Sequence, residues 1–206
     1  DKQIIHLDKN EVTELLNLVE NCNTDAMTHR QKARIARSKK RDLALISLLL
    51  GTGMRISECV GINMNDIDFK NNSVKVVRKG GNEFTLYFNE EVQETLVDYI
   101  AQREQQKKKS EKEEALFLSN QGTRITTRSV QNIVKKYARI VIPTKKISPH
   151  KLRSTYATSL YQETGDIYLV ADALGHADVN TTKIHYAAID ENRRKNAANF
   201  VKLRKN

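Results

Sequence analysis

The chain has 206 residues, with 35 Lys and Arg against 25 Asp and Glu and a formal net charge of +10 at pH 7. That length allows one large domain or two small ones around one good core, and 39% hydrophobic residues with two prolines exclude collagenous and low-complexity classes. The longest apolar stretch, 43–50, is far too short to cross a bilayer, so no membrane partner is expected, while the positive balance points to nucleic acid or another polyanion.

Residues 7–20 read as an amphipathic helix, with Val12, Leu15, Leu16 and Val19 on one face and Asp8 with Glu11 as a capping box. After a loop over 21–25 comes a run over 29–41 with seven Lys and Arg and no acid. It reads as a short basic loop or a polyanion-binding insertion. An apolar helical run over 43–50 follows, broken by Gly51-Thr52-Gly53, and a short helix resumes over 55–60. The period then changes. Residues 66–69, 73–78 and 83–88 read as three short antiparallel strands, with Asn71-Asn72 and Gly80-Gly81 in the turns. Residues 90–106 return to a helix with Val92, Leu96, Val97 and Ile100 on one face. A charged segment over 107–114 and a short extended piece over 116–118 lead to a helix over 127–141, stopped by Pro143. Pro149 starts the next helix, which runs to 164 with Gly165 as its stop. Helices over 166–174, 180–188 and 191–203 complete the chain. The fold class is mainly α with a small three-stranded antiparallel sheet.

Cys22 and Cys59 have no CxxC partner and no Cys/His neighbours at zinc-ligand spacing. Both read as small buried hydrophobes in a reducing cytosol, so a cytoplasmic protein is expected, with no metal or cofactor. The first residue is Asp1 rather than Met, which suggests a processed product or a fragment with a domain upstream.

The charge is uneven. From 115 to 162 there is no acid, and the same stretch holds Arg124, Arg128, Lys135, Lys136, Arg139, Lys145, Lys146, Lys151 and Arg153. Apart from Arg153, these are the expected DNA-contacting residues, because an acid-free surface on folded helices suits a phosphate backbone. Four local patterns carry possible chemistry. Arg55 follows a Gly turn and opens a helix; Lys79 sits at a hairpin tip. His150 and Arg153 share a helix face at i and i+3. His176 follows the helix-ending Gly175, and Tyr186 comes soon after. Each alone has a plainer reading: a surface ion pair, a solvated lysine, a core aromatic. Together they are two Arg, two His, one Lys and one Tyr, without the paired carboxylates of a metal nuclease. Phosphoryl transfer needs charge neutralisation, a nucleophile and a protonated leaving group, and this set can supply all three.

The order and wording of these patterns resemble the tyrosine recombinases, the phage integrase family. Gly51-Thr52-Gly53-Met54-Arg55-Ile56-Ser57-Glu58 is similar to the family's first-arginine box, and Asp66-Ile67-Asp68 to the lead into its sheet. Lys79-Gly80-Gly81 sits where its hairpin lysine sits. Ser148-Pro149-His150-Lys151-Leu152-Arg153 looks like its His-x-x-Arg box, and Leu174-Gly175-His176 like its Leu-Gly-His box. Among relatives the compact layout looks most like bacterial Xer-type enzymes. The resemblance covers nearly the whole chain and implies a catalytic-domain fold over residues 1–206, without the family's N-terminal core-binding domain.

It also implies roles. Arg55 and Arg153 hold the scissile phosphate, and His176 adds a hydrogen bond. His150 accepts the proton of the attacking Tyr186, and Lys79 donates one to the departing 5′ oxygen. Glu58 is a structural support. Neither ATP nor a metal is required. The partner is a double-stranded DNA recombination site, held by a homo-tetramer on two sites or together with a related recombinase, with a Holliday junction between exchanges. Three features depart from the pattern. Position 185, where the family's spacing puts the tyrosine, is His185, and Tyr186 comes one later. Asn82 and Phe84 stand where many relatives carry further basic residues, and 29–41 looks inserted. The segment 190–206 is expected as a helix that packs on its own domain or docks on a neighbouring protomer. Competing functions are type IB topoisomerase-like relaxation, a non-catalytic DNA-binding protein on the same scaffold, and a plain basic nucleic-acid-binding domain.

Overall fold

A computed structural model of the chain describes residues 5–21, 28–78, 80–105, 114–176, 179, 180 and 182, and for 31, 32 and 34 the backbone alone. The helices expected over 180–188 and 191–203 therefore lie largely or wholly outside the described residues, as does most of the charged segment 107–114. The chain divides into a larger compact unit, Ile5–Tyr156, and a smaller one whose described part begins at Ala157.

In the larger unit, α1 (Lys9–Glu20) starts on the predicted box. The Glu11 N–H donates to Asp8 Oδ1 at 2.9 Å and the Asp8 N–H to Glu11 Oε2 at 2.8 Å, satisfying two orphan donors reciprocally. α2 (His29–Thr52) is one continuous helix, about 36 Å long at 1.5 Å per residue. The basic run 29–41 is thus not a loop but the first half of this helix. Arg41, buried at the end of this run, is already neutralised. Arg41 donates through Nη2 to Asp42 Oδ1 at 2.8 Å, and through Nη1 to the Leu118 carbonyl at 2.9 Å. Tyr137 Oη closes the cluster on Asp42 Oδ2 at 3.0 Å.

α3 (Ile56–Gly61) and a 3-10 turn (Met64–Asp66) lead into the sheet. The turn takes up the start of the predicted first strand, which shortens to β1 (Ile67–Asp68). β2 (Ser73–Val77) and β3 (Glu83–Tyr87) follow as expected, and the antiparallel order is β1-β2-β3. Val74 pairs with Leu86 and Val76 with Phe84 on the inner face. α4 (Glu90–Gln105) packs along α2. Its buried stripe holds Val92 and Leu96 as expected, with Ile100 half-buried against the core, but continues through Tyr99 and Arg103, and Val97 is 48% exposed. Arg103 turns inward because its guanidinium donates to the Ala115 carbonyl at 2.9 Å. Tyr99 stacks on Phe117, and its hydroxyl donates to the Leu116 carbonyl at 3.1 Å. α5 (Thr127–Val141) buries Val130, Val134, Tyr137 and Ala138. α6 (Pro149–Thr164) begins at the proline, in the position where a missing N–H is tolerated. The core joins Leu15, Leu45, Leu48, Val74, Leu96, Val134 and Leu152 from these elements. Cys59 lies within it, and burial pushes its thiol up to about 12, so it is a packing residue.

In the smaller unit, α7 (Ile167–Leu174) follows the end of α6. Asp166 caps it by accepting the Tyr168 and Leu169 N–H groups at 2.9 and 3.0 Å. Gly175, at φ 63°, ends it, and the His176 N–H returns to the Ala171 carbonyl at 2.9 Å. Among the described residues no helix is long and apolar enough to cross a membrane.

Candidate active site

The site starts where α2 stops. The Gly53 N–H still donates to Leu49 O at 3.1 Å, but the residue itself sits at φ +63°. A Cβ there would lie 2.3 Å from Tyr156 Cδ1. Only glycine meets both demands, the left-handed backbone and the close approach of a ring. Gly53→Ala is expected to destabilise the protein by at least ~2 kcal/mol, combining the left-handed penalty with overpacking. Urea unfolding checks it; a loss below about 0.5 kcal/mol, the range of neutral surface changes, would contradict the geometry.

The turn at Gly53 aims Arg55 outward at the start of α3. The Arg55 N–H donates to Glu58 Oε2 at 2.8 Å, and Arg55 Nη1 donates to Glu58 Oε1 at 3.0 Å. The carboxylate side chain is 2% exposed and the arginine side chain 44%. Glu58 is therefore a buried anchor and Arg55 a cation presented to solvent. A second arginine shares the anchor: Arg78 Nε lies 3.5 Å from Glu58 Oε1, and its guanidinium carbon sits 3.4 Å over the Phe84 ring. Sequence reasoning assigned Arg78 no role. Strand parity holds the signal, because Val74 and Val76 face inward and Arg78 continues that alternation. Lys79 lies outside the described residues.

The second arginine box reaches the first directly. Arg153 is buried at 8% exposure, and its Nη1 donates to the Gly53 carbonyl at 2.6 Å. His150 lies exposed on the same face one turn earlier. Fully buried Leu152 anchors this helical turn, and Thr155 Oγ1, which accepts the Leu7 N–H at 2.9 Å, ties it to the lead of α1. Tyr156 is a residue the sequence did not flag. Burial raises its phenol pKa, and the Arg153 charge works in the opposite direction. In the smaller unit, His176 is half-buried, with Nδ1 2.9 Å from the hydroxyl of buried Thr182. Tyr186, His185 and the segment 190–206 lie outside the described residues. Among the described residues no group of three His, Cys, Asp or Glu is placed to hold a metal ion.

The basic residues expected at DNA divide between exposed positions and internal ones. Arg128, Lys135, Lys136 and Arg139 are exposed on α5, and Lys146 is exposed beyond it, with Lys151 half-exposed. Lys136 also leans over the Tyr137 ring, 4.3 Å from its centre. Arg124 does not join this face. Its guanidinium donates to the carbonyls of Val60 and Ile62 at 2.9 and 3.2 Å and to Asn63 Oδ1 at 2.5 Å. It pins the end of α3, where carbonyls left by the last helical turn need donors. Lys145 is likewise engaged, on the Glu11 carboxylate at 2.7 Å. A tally of charge along the chain does not register these internal acceptors.

Residues 6–193 match the model of the phage integrase family. The chain is 39% identical over 149 residues to tyrosine recombinase XerC of Thermodesulfovibrio yellowstonii, covering 71% of this chain and 50% of that protein. It is 35% identical over 190 residues to tyrosine recombinase XerS of Streptococcus thermophilus, covering 91% of this chain and 52% of that one. The chain thus spans about half the length of the curated relatives it matches. The XerH site-specific recombinase in its pre-cleavage complex with difH is similar in structure, with TM-score 0.74 and 25% identity over 89% of this chain and 51% of that chain. XerA recombinase shares the fold, with TM-score 0.76 and 24% identity over 98% of this chain and 68% of that chain. A family match running almost end to end, on a mainly helical fold whose two arginine boxes meet at Gly53, establishes that the chain belongs to the phage integrase family, the tyrosine recombinases.

Proposed function

We propose that this chain is the catalytic domain of a site-specific recombinase that cuts and rejoins double-stranded DNA through a 3′-phosphotyrosine. The observation that carries the reading is the bond from Arg153 to the Gly53 carbonyl, two residues before Arg55. It brings together two boxes far apart in sequence, and it fixes Arg153 in a buried setting where its charge is weakly screened. The relatives' names support the reaction class, and XerH site-specific recombinase bound to its difH substrate supports a specific recombination site as the partner.

The chemistry follows from the groups. Tyr186 Oη attacks phosphorus, and its proton passes to His150. The P–O5′ bond breaks, and the proton on O5′ comes from the Lys79 ammonium. Arg55 and Arg153 stabilise the charge that builds on the non-bridging oxygens, and His176 adds a hydrogen bond there. One phosphoester replaces another, so the bond energy is retained for rejoining and ATP is not consumed. Four protomers on two duplexes, passing through a Holliday junction, complete an exchange.

The test is incubation with nicked suicide substrates, followed by denaturing electrophoresis and peptide mapping. A covalent adduct on Tyr186 is the expected result. Relaxation of supercoils without transfer between two sites would replace this reading with the topoisomerase one. The basic face gives a separate check. Lys135→Ala is expected to lower the slope of log affinity against log salt by about one, while Arg124→Ala lowers stability instead. An unchanged slope for Lys135→Ala would remove α5 from the DNA footprint.

A further inference from the structure

Glu58 is a buried carboxylate with two cations, and they are not equivalent. The Arg55 side chain is 44% exposed and the Arg78 side chain 14%. Arg78 is held through its side chain and its backbone: its Nε faces Glu58 Oε1 at 3.5 Å, its guanidinium carbon sits 3.4 Å over the Phe84 ring, and its backbone closes the hairpin turn. The Arg78 N–H donates to Asn82 O at 2.8 Å, and the Arg78 carbonyl accepts the Gly81 N–H at 3.0 Å. An arginine stacked and paired in this way faces the protein, not a phosphate. Its partner Glu58 also accepts the Arg55 N–H at 2.8 Å, so one carboxylate touches both the hairpin and the first-arginine turn.

We infer that Arg78 is a positioning residue: by tying the β2–β3 turn to Glu58, it sets Lys79, the next residue, relative to Arg55. The inference rests on the proposed function, in which Lys79 protonates the departing oxygen. Two groups acting on one phosphate from different elements need a common reference, and a misplacement of about 1 Å can cost about a hundredfold in rate. The buried carboxylate is that reference. A merely structural arginine would neutralise Glu58 without any preference for the leaving-group step.

The test separates those two roles with a 5′-bridging phosphorothiolate substrate, in which sulfur replaces the departing oxygen. Thiolate leaves without being protonated, so the need for Lys79 disappears. Arg78→Ala is expected to cut the oxygen substrate about 10²-fold more slowly than the parent protein and the sulfur substrate within about tenfold of it. Lys79→Ala sets the benchmark, with the same pattern more strongly expressed. Arg78→Lys keeps a charge beside Glu58 but loses the planar stack, and an intermediate loss with the same recovery is expected. Phe84→Leu removes the ring beneath the guanidinium, and it gives the same reading if Arg78→Ala does not fold. Equal loss on oxygen and sulfur in the Arg78 and Phe84 variants overturns the inference. Failure of sulfur to recover Lys79→Ala overturns the assignment of Lys79 instead, so the two failures are told apart.

Discussion

Tyr186→Phe is expected to bind recombination-site DNA with the parent affinity and to form no denaturant-resistant adduct. The substitution removes one hydroxyl and leaves the ring, so packing and charge are unchanged while the nucleophile is gone. Filter or gel binding measures the first quantity, and a suicide substrate measures the second. An adduct that survives in Tyr186→Phe would move the nucleophile elsewhere, and the described tyrosines then differ sharply. Tyr156 is disfavoured, because burial raises its phenol pKa and its ring fills the space beneath Gly53. Tyr168 is 63% exposed. The same experiment on His185→Ala asks whether the residue at the family's usual tyrosine position takes part; retained adduct formation is expected.

Arg153→Ala carries the second largest effect. Loss of a buried donor to a developing oxyanion costs about 10²–10³ in rate, whereas affinity spread over a wide basic face should change only a few-fold. A second consequence follows from the structure alone. The Gly53 carbonyl loses its 2.6 Å donor, which is expected to cost about 1–3 kcal/mol of stability. Single-turnover cleavage, binding and thermal unfolding on one variant separate the three quantities. Equal losses in rate and affinity would place Arg153 in ground-state binding. Arg153→Lys retains charge without the planar fork, so it should recover affinity and little of the rate.

Much of the fold that carries the candidate site is legible in sequence because its local rules are strong. Asp8 with Glu11 announces α1, Pro149 opens α6, and Gly175 closes α7, each through a backbone group that only certain residues satisfy. The strands announce themselves through alternation at 74, 76, 84 and 86. What is not legible depends on partners distant in the chain. The basic half of α2 reads as a loop because the acceptors that absorb Arg41, at Leu118 and Asn120, lie elsewhere in the chain. Val97 reads as inward because it is apolar, yet the stripe through Tyr99 and Arg103 wins once Ala115 offers a carbonyl. Arg124 reads as a phosphate contact until the carbonyls at the end of α3 are in place. Arg78 could have been found by parity, but its partner Glu58 could not.

The bond between Arg153 and Gly53 joins positions 100 residues apart. During synthesis at roughly 5–20 residues per second, about 5–20 s pass between the two. A nascent chain that has made Arg55 has no second arginine to set beside it, and the loop must close before the pair exists. Under the proposed chemistry, an unfinished or truncated copy cannot cut DNA, because cleavage waits until translation has passed the point where the last parts of the site are supplied.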